Sequence, residues 1–227
     1  MDVFGPAWIE HTRVIQASWD SLVSANDIVL IPGDISWAMR LDEAAPDLQW
    51  IHERPGIKVL IRGNHDYWWG SISKLRRTLP PSIHAIQHDV ICFDEVAIGG
   101  SRLWDTPEVN CSELITMTGE KKASVQDHKG DDEIFQRELA RLESSLQLLP
   151  KDAAVKIAMT HFPPIGPDLA PTRASALFEK YGVHIVVFGH LHSFKEGLQS
   201  TFGTARGVRY ILCSGDFLHF TPIRIWP

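Results

Sequence analysis

Four short apolar runs end in residues able to hold a cation or move a proton: Pro32-Gly33-Asp34, Gly63-Asn64-His65-Asp66, Thr160-His161 and Gly189-His190-Leu191-His192. A carboxylate, an amide oxygen and imidazoles make a mixed oxygen and nitrogen donor set without a thiolate. Such a set suits catalytic Mn²⁺, Fe or Zn²⁺ better than a structural zinc site. Asp34, Asn64, His161, His190 and His192 are the candidate ligands. A carboxylate can also bridge two ions roughly 3.5–4 Å apart, a pair that makes hydroxide at neutral pH and clamps a phosphoryl group; Asp34 is the natural bridge. Singly, each element is ordinary, since a Gly-Asp after a strand usually marks a turn and a histidine at a strand end is usually just hydrogen-bonded. The four together, in this order, carry the argument.

Those residues need strands to deliver them. "DIVLIPGD" and "IKVLIRGNHD" read as continuous apolar strands closed by turn residues, and "VKIAMTHFPP", "VHIVVFGHLH", "VRYILCSGDF" and "PIRIW" supply more. Helices are expected over 12–25, with Val14, Ile15, Trp19, Leu22 and Val23 on one face, and over 42–53, with Ala44, Ala45, Leu48 and Ile51 inward. A further helix over 131–149 sets Phe135, Leu139, Leu142, Leu146 and Leu149 in a stripe that should pack on its own sheet. Strands alternating with helices imply parallel pairing. "DVICF" and "EVAIGGS" around Asp94 look like a hairpin, and the irregular 101–130 stretch suggests a functional loop or lid. In an open α/β sheet the carboxyl ends of the strands share one edge, where ligands bind. Glycines at the exits allow tight turns and close backbone approach.

The 227 residues carry a net charge of −6, with 44% hydrophobic residues and mean hydropathy near zero. This is a globular composition, read as one domain over 1–227. The acidic balance disfavours nucleic-acid partners, so a small anionic substrate would need local positive charge. Cys92, Cys111 and Cys213 are few and scattered, which predicts reduced structural thiols. No apolar run approaches the roughly 18 residues of a membrane span and no signal peptide is visible, which predicts a cytoplasmic protein with no membrane partner. Oligomeric state is not readable.

The set GD, GNHD, H-F-P-P and GHLH, in this order from about Asp27 to Phe217, resembles the calcineurin-like metallophosphoesterase family. The resemblance implies a four-layer α/β/β/α sandwich and a metal-dependent phosphohydrolase that cleaves a phosphomonoester or phosphodiester through a metal-bound hydroxide. It implies Asp34 bridging two metals, Asn64, His161 and His190 completing the second site, and His192 in the first. His65 would stabilise or protonate the leaving group, with Asp66 orienting it.

The family's opening D-x-H strand is not found in this chain. Asp2 and His11 do not fit that motif, so the sandwich is expected without its first strand. Either an upstream stretch supplies the motif or the site has lost it; the intact second-site set favours the former. One well-held ion is therefore expected at Asp34, Asn64, His161 and His190, with a weak neighbour. Trp37, Tyr67, Trp68, Trp69 and Trp104 are candidate walls for a small phosphorylated substrate. Arg62 is a candidate phosphate contact, as is Arg102, although both suit surface ion pairs as well. The alternative is a catalytically impaired scaffold that binds a protein partner.

Overall fold

The computed structural model describes residues 8–116, 128–195, 197–198 and 202–227. The helices His11–Leu22 (α1), Leu41–His52 (α2) and Ile72–Thr78 (α3) alternate with the strands Ile28–Ile31 (β1), Ile57–Leu60 (β2) and Ile83–Ala85 (β3). Each helix returns the chain to the same end of the sheet, so the strands pair in parallel in the order β1-β2-β3. Val90–Phe93 (β4) and Val96–Gly100 (β5) form the expected hairpin, turning at Asp94 with φ 45°. The helices His128–Gln147 (α4) and Arg173–Lys180 (α5) then link β5 to Val155–Met159 (β6) and β6 to Ile185–Phe188 (β7). With Thr204–Ala205 (β8) and Val208–Leu212 (β9) they complete a mixed six-stranded sheet in the order β4-β5-β6-β7-β9-β8.

Strand residues alternate between faces, and that period builds the layers. Val59 and Ile61 from the first sheet meet Ile98, Ile157, Met159, Ile185 and Val187 from the second in one buried cluster. On the opposite faces, Leu60 and Ala85 pack with Trp19, Leu48 and Leu75 of α1 to α3. Ala158, Val186 and Phe188 pack with Leu142, Leu146 and Phe178 of α4 and α5. The result is helix, sheet, sheet, helix. Among the described residues no helix is long and apolar enough to cross a membrane, and all three cysteines are free.

Several local expectations change. Only Trp19 of the α1 stripe is buried, while Val14 and Leu22 are exposed, because β1 is the edge of its sheet among the described residues and leaves part of the helix without strands beneath it. Ala45 is exposed beside buried Ala44. "PIRIW" forms no strand; residues 222–226 instead line a groove of about 630 Å³ with Ile15, Trp19, Ile31 and Ile157, beside the β1 edge. β3 and β8 were not expected, being three and two residues long. Residues 101–116 contain no helix or strand beyond one bridge from Ile115 to Phe194; of the rest of the anticipated lid, 117–127 lies outside the described residues and 128–130 instead begin α4.

Lys58 is fully buried on the helix-facing side of β2. Its Nζ donates to the carbonyl oxygens of His52 (3.2 Å) and Arg54 and to Ser82 Oγ (3.2 Å). The ammonium thus serves the carboxyl end of α2, where carbonyl groups lack helical partners. Lys58→Met keeps the stem and removes the donor, so the unfolding free energy in urea should fall by about 1–3 kcal/mol. An unchanged urea midpoint would show that water serves that helix end equally well.

Candidate metal centre

The two sheets are packed so that their carboxyl edges coincide, and the candidate residues come from both. β1 leads into Gly33 (φ 96°) and Asp34 (φ 56°), and β2 into Gly63 and Asn64. A Cβ on Gly33 would sit 2.7 Å from Gly63 Cα, and one on Gly63 would sit 2.1 Å from Asp34 Oδ1. No side chain larger than hydrogen fits where these exits touch, which is the physical reason for both glycines. Across the sheet interface, His161 follows β6 and His190 (φ 68°) follows β7.

Four polar atoms converge there. His161 Nε2 lies 2.7 Å from Asn64 Oδ1, 3.2 Å from His190 Nδ1 and 3.5 Å from Asp34 Oδ2, and His190 Nδ1 lies 3.0 Å from Asn64 Oδ1. His161 Nδ1 is 2.8 Å from the Pro32 carbonyl oxygen, which can only accept, so the ring proton belongs on Nδ1 and Nε2 presents a lone pair. Burial pushes the His161 pKa down to about 4, and burial together with the neighbouring His161 pushes His190 to about 3. Both rings are neutral at pH 7. One proton, on His190 Nδ1, can serve Asn64 and His161 in part, but His161 Nε2 and Asn64 Oδ1 still face each other as two acceptors.

A cation relieves that opposition. Two ligands about 2.1 Å from one ion at right angles are about 3.0 Å apart, and the four atoms here are 2.7–3.5 Å apart along the contacts given. Among the described residues no group of three or more His, Cys, Asp or Glu side chains by itself could hold a metal ion. The fit therefore depends on the amide oxygen of Asn64 as a fourth donor. The mixed oxygen and nitrogen chemistry suits a divalent transition metal.

Other expected site residues fall around this cluster. His192 is exposed, with Nδ1 3.1 Å from Ser193 Oγ, so it stands at the rim. The next turn is pinned by Asp216, whose Oδ2 accepts from the Ser193 N–H at 2.8 Å. The half-buried His65 donates its backbone N–H to Asp34 Oδ1 at 2.9 Å. Its ring lies 5.6 Å from that of Trp37 and 6.2 Å from that of Tyr67, both exposed. Trp68 does not reach a pocket: it is buried, and its Nε1 donates to Asp66 Oδ1 at 3.0 Å and the Ser36 carbonyl at 3.2 Å. Trp69 is buried likewise and donates to Gln87 Oε1. Arg62 turns its Nε into the interior with no hydrogen-bond partner among the described residues.

Asp66 is where the sequence reading changes most. It is wholly buried, and its carboxylate accepts the backbone N–H groups of Gly63 (2.7 Å), Asp34 (2.9 Å), Ile35 (2.8 Å) and Ser36 (3.1 Å) as well as the Trp68 indole. Burial raises its pKa, with the N–H groups of Gly63 and Ser36 pulling the other way. Both oxygens are committed to binding one loop to the other, so the expected part in orienting His65 gives way to holding the backbone beneath Asp34. Two further residues contribute. The Pro32 carbonyl is a main-chain group and carries no sequence signal of its own, whereas Phe162, the second residue of H-F-P-P, backs His190 with ring centroids 4.1 Å apart.

Residues 8–194 match the sequence pattern of the calcineurin-like phosphoesterases. The Gene 66 protein of Mycobacterium phage L5 is 46% identical over 57 residues, a stretch covering 25% of this chain and 27% of that protein. Among solved structures, a phosphopantetheinyl hydrolase from Mycobacterium tuberculosis superposes with a TM-score of 0.53 at 16% identity, covering 89% of this chain and 83% of its own. That likeness concerns the fold. A protein of unknown function from Aquifex aeolicus aligns at 15% identity with a TM-score of 0.43, over 94% of this chain and 80% of that one.

The carboxylate of Asp66 can be tested directly. Asp66→Asn would turn an amide NH₂ toward backbone N–H donors, so the protein should lose about 3 kcal/mol or more of unfolding free energy. If Asp66 only oriented His65, urea unfolding would be unchanged and turnover alone would fall.

Proposed function

This chain belongs to the calcineurin-like phosphoesterase family, and from that premise we propose that it is a metal-dependent phosphohydrolase cleaving a small phosphomonoester or phosphodiester at the Asp34, Asn64, His161 and His190 cluster. Phosphoesterase chemistry is the family's common ground, as is the use of divalent metals. The observation that supports the finer reading is the approach of His161 Nε2 to Asn64 Oδ1 at 2.7 Å, two acceptors that the His190 Nδ1 proton serves only in part and that one cation would serve together.

Asp34, Asn64, His161 and His190 would hold one ion. When bound, it would supply Lewis-acid stabilisation of the phosphoryl oxygens and lower the pKa of a nucleophilic water. The chain's own part is to keep the donors fixed. The Pro32 carbonyl sets the His161 tautomer, Phe162 backs the His190 ring, and the His65 N–H orients Asp34. The half-buried ring of His65, on the residue whose N–H meets that carboxylate, would donate a proton to the leaving oxygen. Trp37 and Tyr67 flank it and present apolar surface on which the organic part of the ester can rest. His192, at the rim, is assigned to a second, weaker ion position.

The roles separate under substitution in protein supplied with Mn²⁺. Asp34→Asn should lose bound metal by elemental analysis, because the only carboxylate in the cluster becomes neutral. His65→Ala should keep the metal while hydrolysis of p-nitrophenyl phosphate or its bis-ester falls by about 10²–10⁴. Equal loss of metal in both would refute the place given to His65. Wild-type protein that holds no metal and cleaves neither ester would end the enzyme reading in favour of a binding scaffold.

A further inference from the structure

Beside the metal cluster, the carboxyl ends of β2, β3 and β5 and the flank of α4 enclose a small cavity of about 40 Å³, lined by Arg62, His88, Ser101, Arg102, Glu138 and Arg141 among others. We propose that this cavity is an oxyanion-binding site, taking a phosphate-sized group on three guanidinium side chains and an imidazole.

Its charge balance is the first argument. Three arginines face one carboxylate. Glu138 is almost fully buried, with Oε1 2.6 Å from Arg141 Nη1 and 3.7 Å from Arg102 Nη2, while Arg62 forms no ion pair among the described residues. Arg102 is largely withdrawn from water and Arg62 partly so, and positive charge held away from water is costly unless an anion offsets it. Burial lowers the Arg102 pKa, Glu138 pulls it back up, and Arg62 and Arg141 lower it again, so the single carboxylate is shared among several cations.

Unmet hydrogen bonding is the second argument. Arg62 Nε and His88 Nε2 are buried without a hydrogen-bond partner among the described residues, and both residues line this cavity. Guanidinium groups match tetrahedral oxyanions in geometry and charge. The room equals about three times the roughly 10–15 Å³ that one water needs, which suits several oxygens on one centre and excludes a large ligand.

Its position is the third. Arg62 lies two residues before Asn64, and the Arg102 carbonyl accepts the N–H groups of His161 (3.1 Å) and Phe162 (3.0 Å). An anion here sits next to the metal cluster on the same sheet edge. The chemistry fits free phosphate and fits equally a second acidic group carried by the substrate.

The site can be tested without turnover. Titration calorimetry of the metal-free full chain with sodium sulfate, at ionic strength matched with chloride, should show one saturable site, and Arg62→Met and Arg141→Met should each weaken it at least tenfold. Arg141 is on the outer helix, so its variant tests the site even if Arg62→Met fails to fold. A cavity filled by water alone gives no saturable sulfate binding, and variants that keep full affinity place the ion elsewhere; either result overturns the proposal. A second arm separates the sources with inorganic phosphate and propane-1,3-diyl bisphosphate in Mn²⁺-loaded protein. Tenfold tighter bisphosphate binding that disappears in Arg141→Met supports an acidic group on the substrate. Equal affinities, both weakened in Arg141→Met, support free phosphate. Because the sulfate titration needs no metal, it can fail while the hydrolase reading stands, and the reverse.

Discussion

The carboxylate of Asp66, with five N–H donors around it and no exposed surface, is the contact on which the cluster's geometry depends. It binds the exit of β1 to the exit of β2 at a point where Gly33 and Gly63 already touch. Asp34 adopts a left-handed conformation there, which costs free energy in a non-glycine residue. The backbone bonds from Asp34, Ile35 and Ser36 to Asp66 hold that conformation in place, and the Asp34 side chain in turn accepts the His65 N–H. Two carboxylates in consecutive roles thus fix one another's loops, one facing inward to the main chain and one outward to the cluster.

The second constraint is the seam between the sheets. Val59 and Ile61 pack on Ile157, Met159 and Val187, and this apolar layer determines how far the carboxyl ends of β2 lie from those of β6 and β7. At the end of the layer the apolar contacts give way to polar ones, beginning with His161 Nδ1 on the Pro32 carbonyl. Buried polar atoms at such an end require defined partners, and the His161 tautomer follows from this single contact. The packing of one face and the protonation of the site are therefore linked. A shift of one sheet against the other would change both the spacing of the four donor atoms and the ring nitrogen that presents its lone pair.

The cluster was legible in the sequence because strands in this fold end where their apolar runs end. Val59-Leu60-Ile61 and Val186-Val187-Phe188 stop abruptly at glycine and polar residues, and both exits reach the same edge. Asp66 was misread for an equally physical reason. A carboxylate beside a histidine looks like a proton-relay partner in one dimension, and only the close approach of residues 33–36 reveals the N–H groups that claim it. Trp68 looked available because it follows a functional motif, yet its indole is drawn under the loop by the same carboxylate. The α1 stripe and "PIRIW" have correct local periodicity, but periodicity says nothing about whether a strand lies opposite, and among the described residues none pairs with the outer side of β1.

The overall charge of −6 is a poor guide to the field at this edge. The two cluster histidines are neutral because burial disfavours their charged forms, and Asp66 is screened from the mouth by the N–H groups around it. What remains near the cluster among the described residues is the partly exposed carboxylate of Asp34 and the excess of guanidinium charge at Arg62, Arg102 and Arg141. Surface acids elsewhere are separated from this edge by water and salt, whose screening length at physiological ionic strength is about 8 Å. An acidic protein can thus present a cation-favouring cluster and an anion-favouring cavity side by side. Their proximity follows from Arg62 and Asn64 leaving the same strand two residues apart.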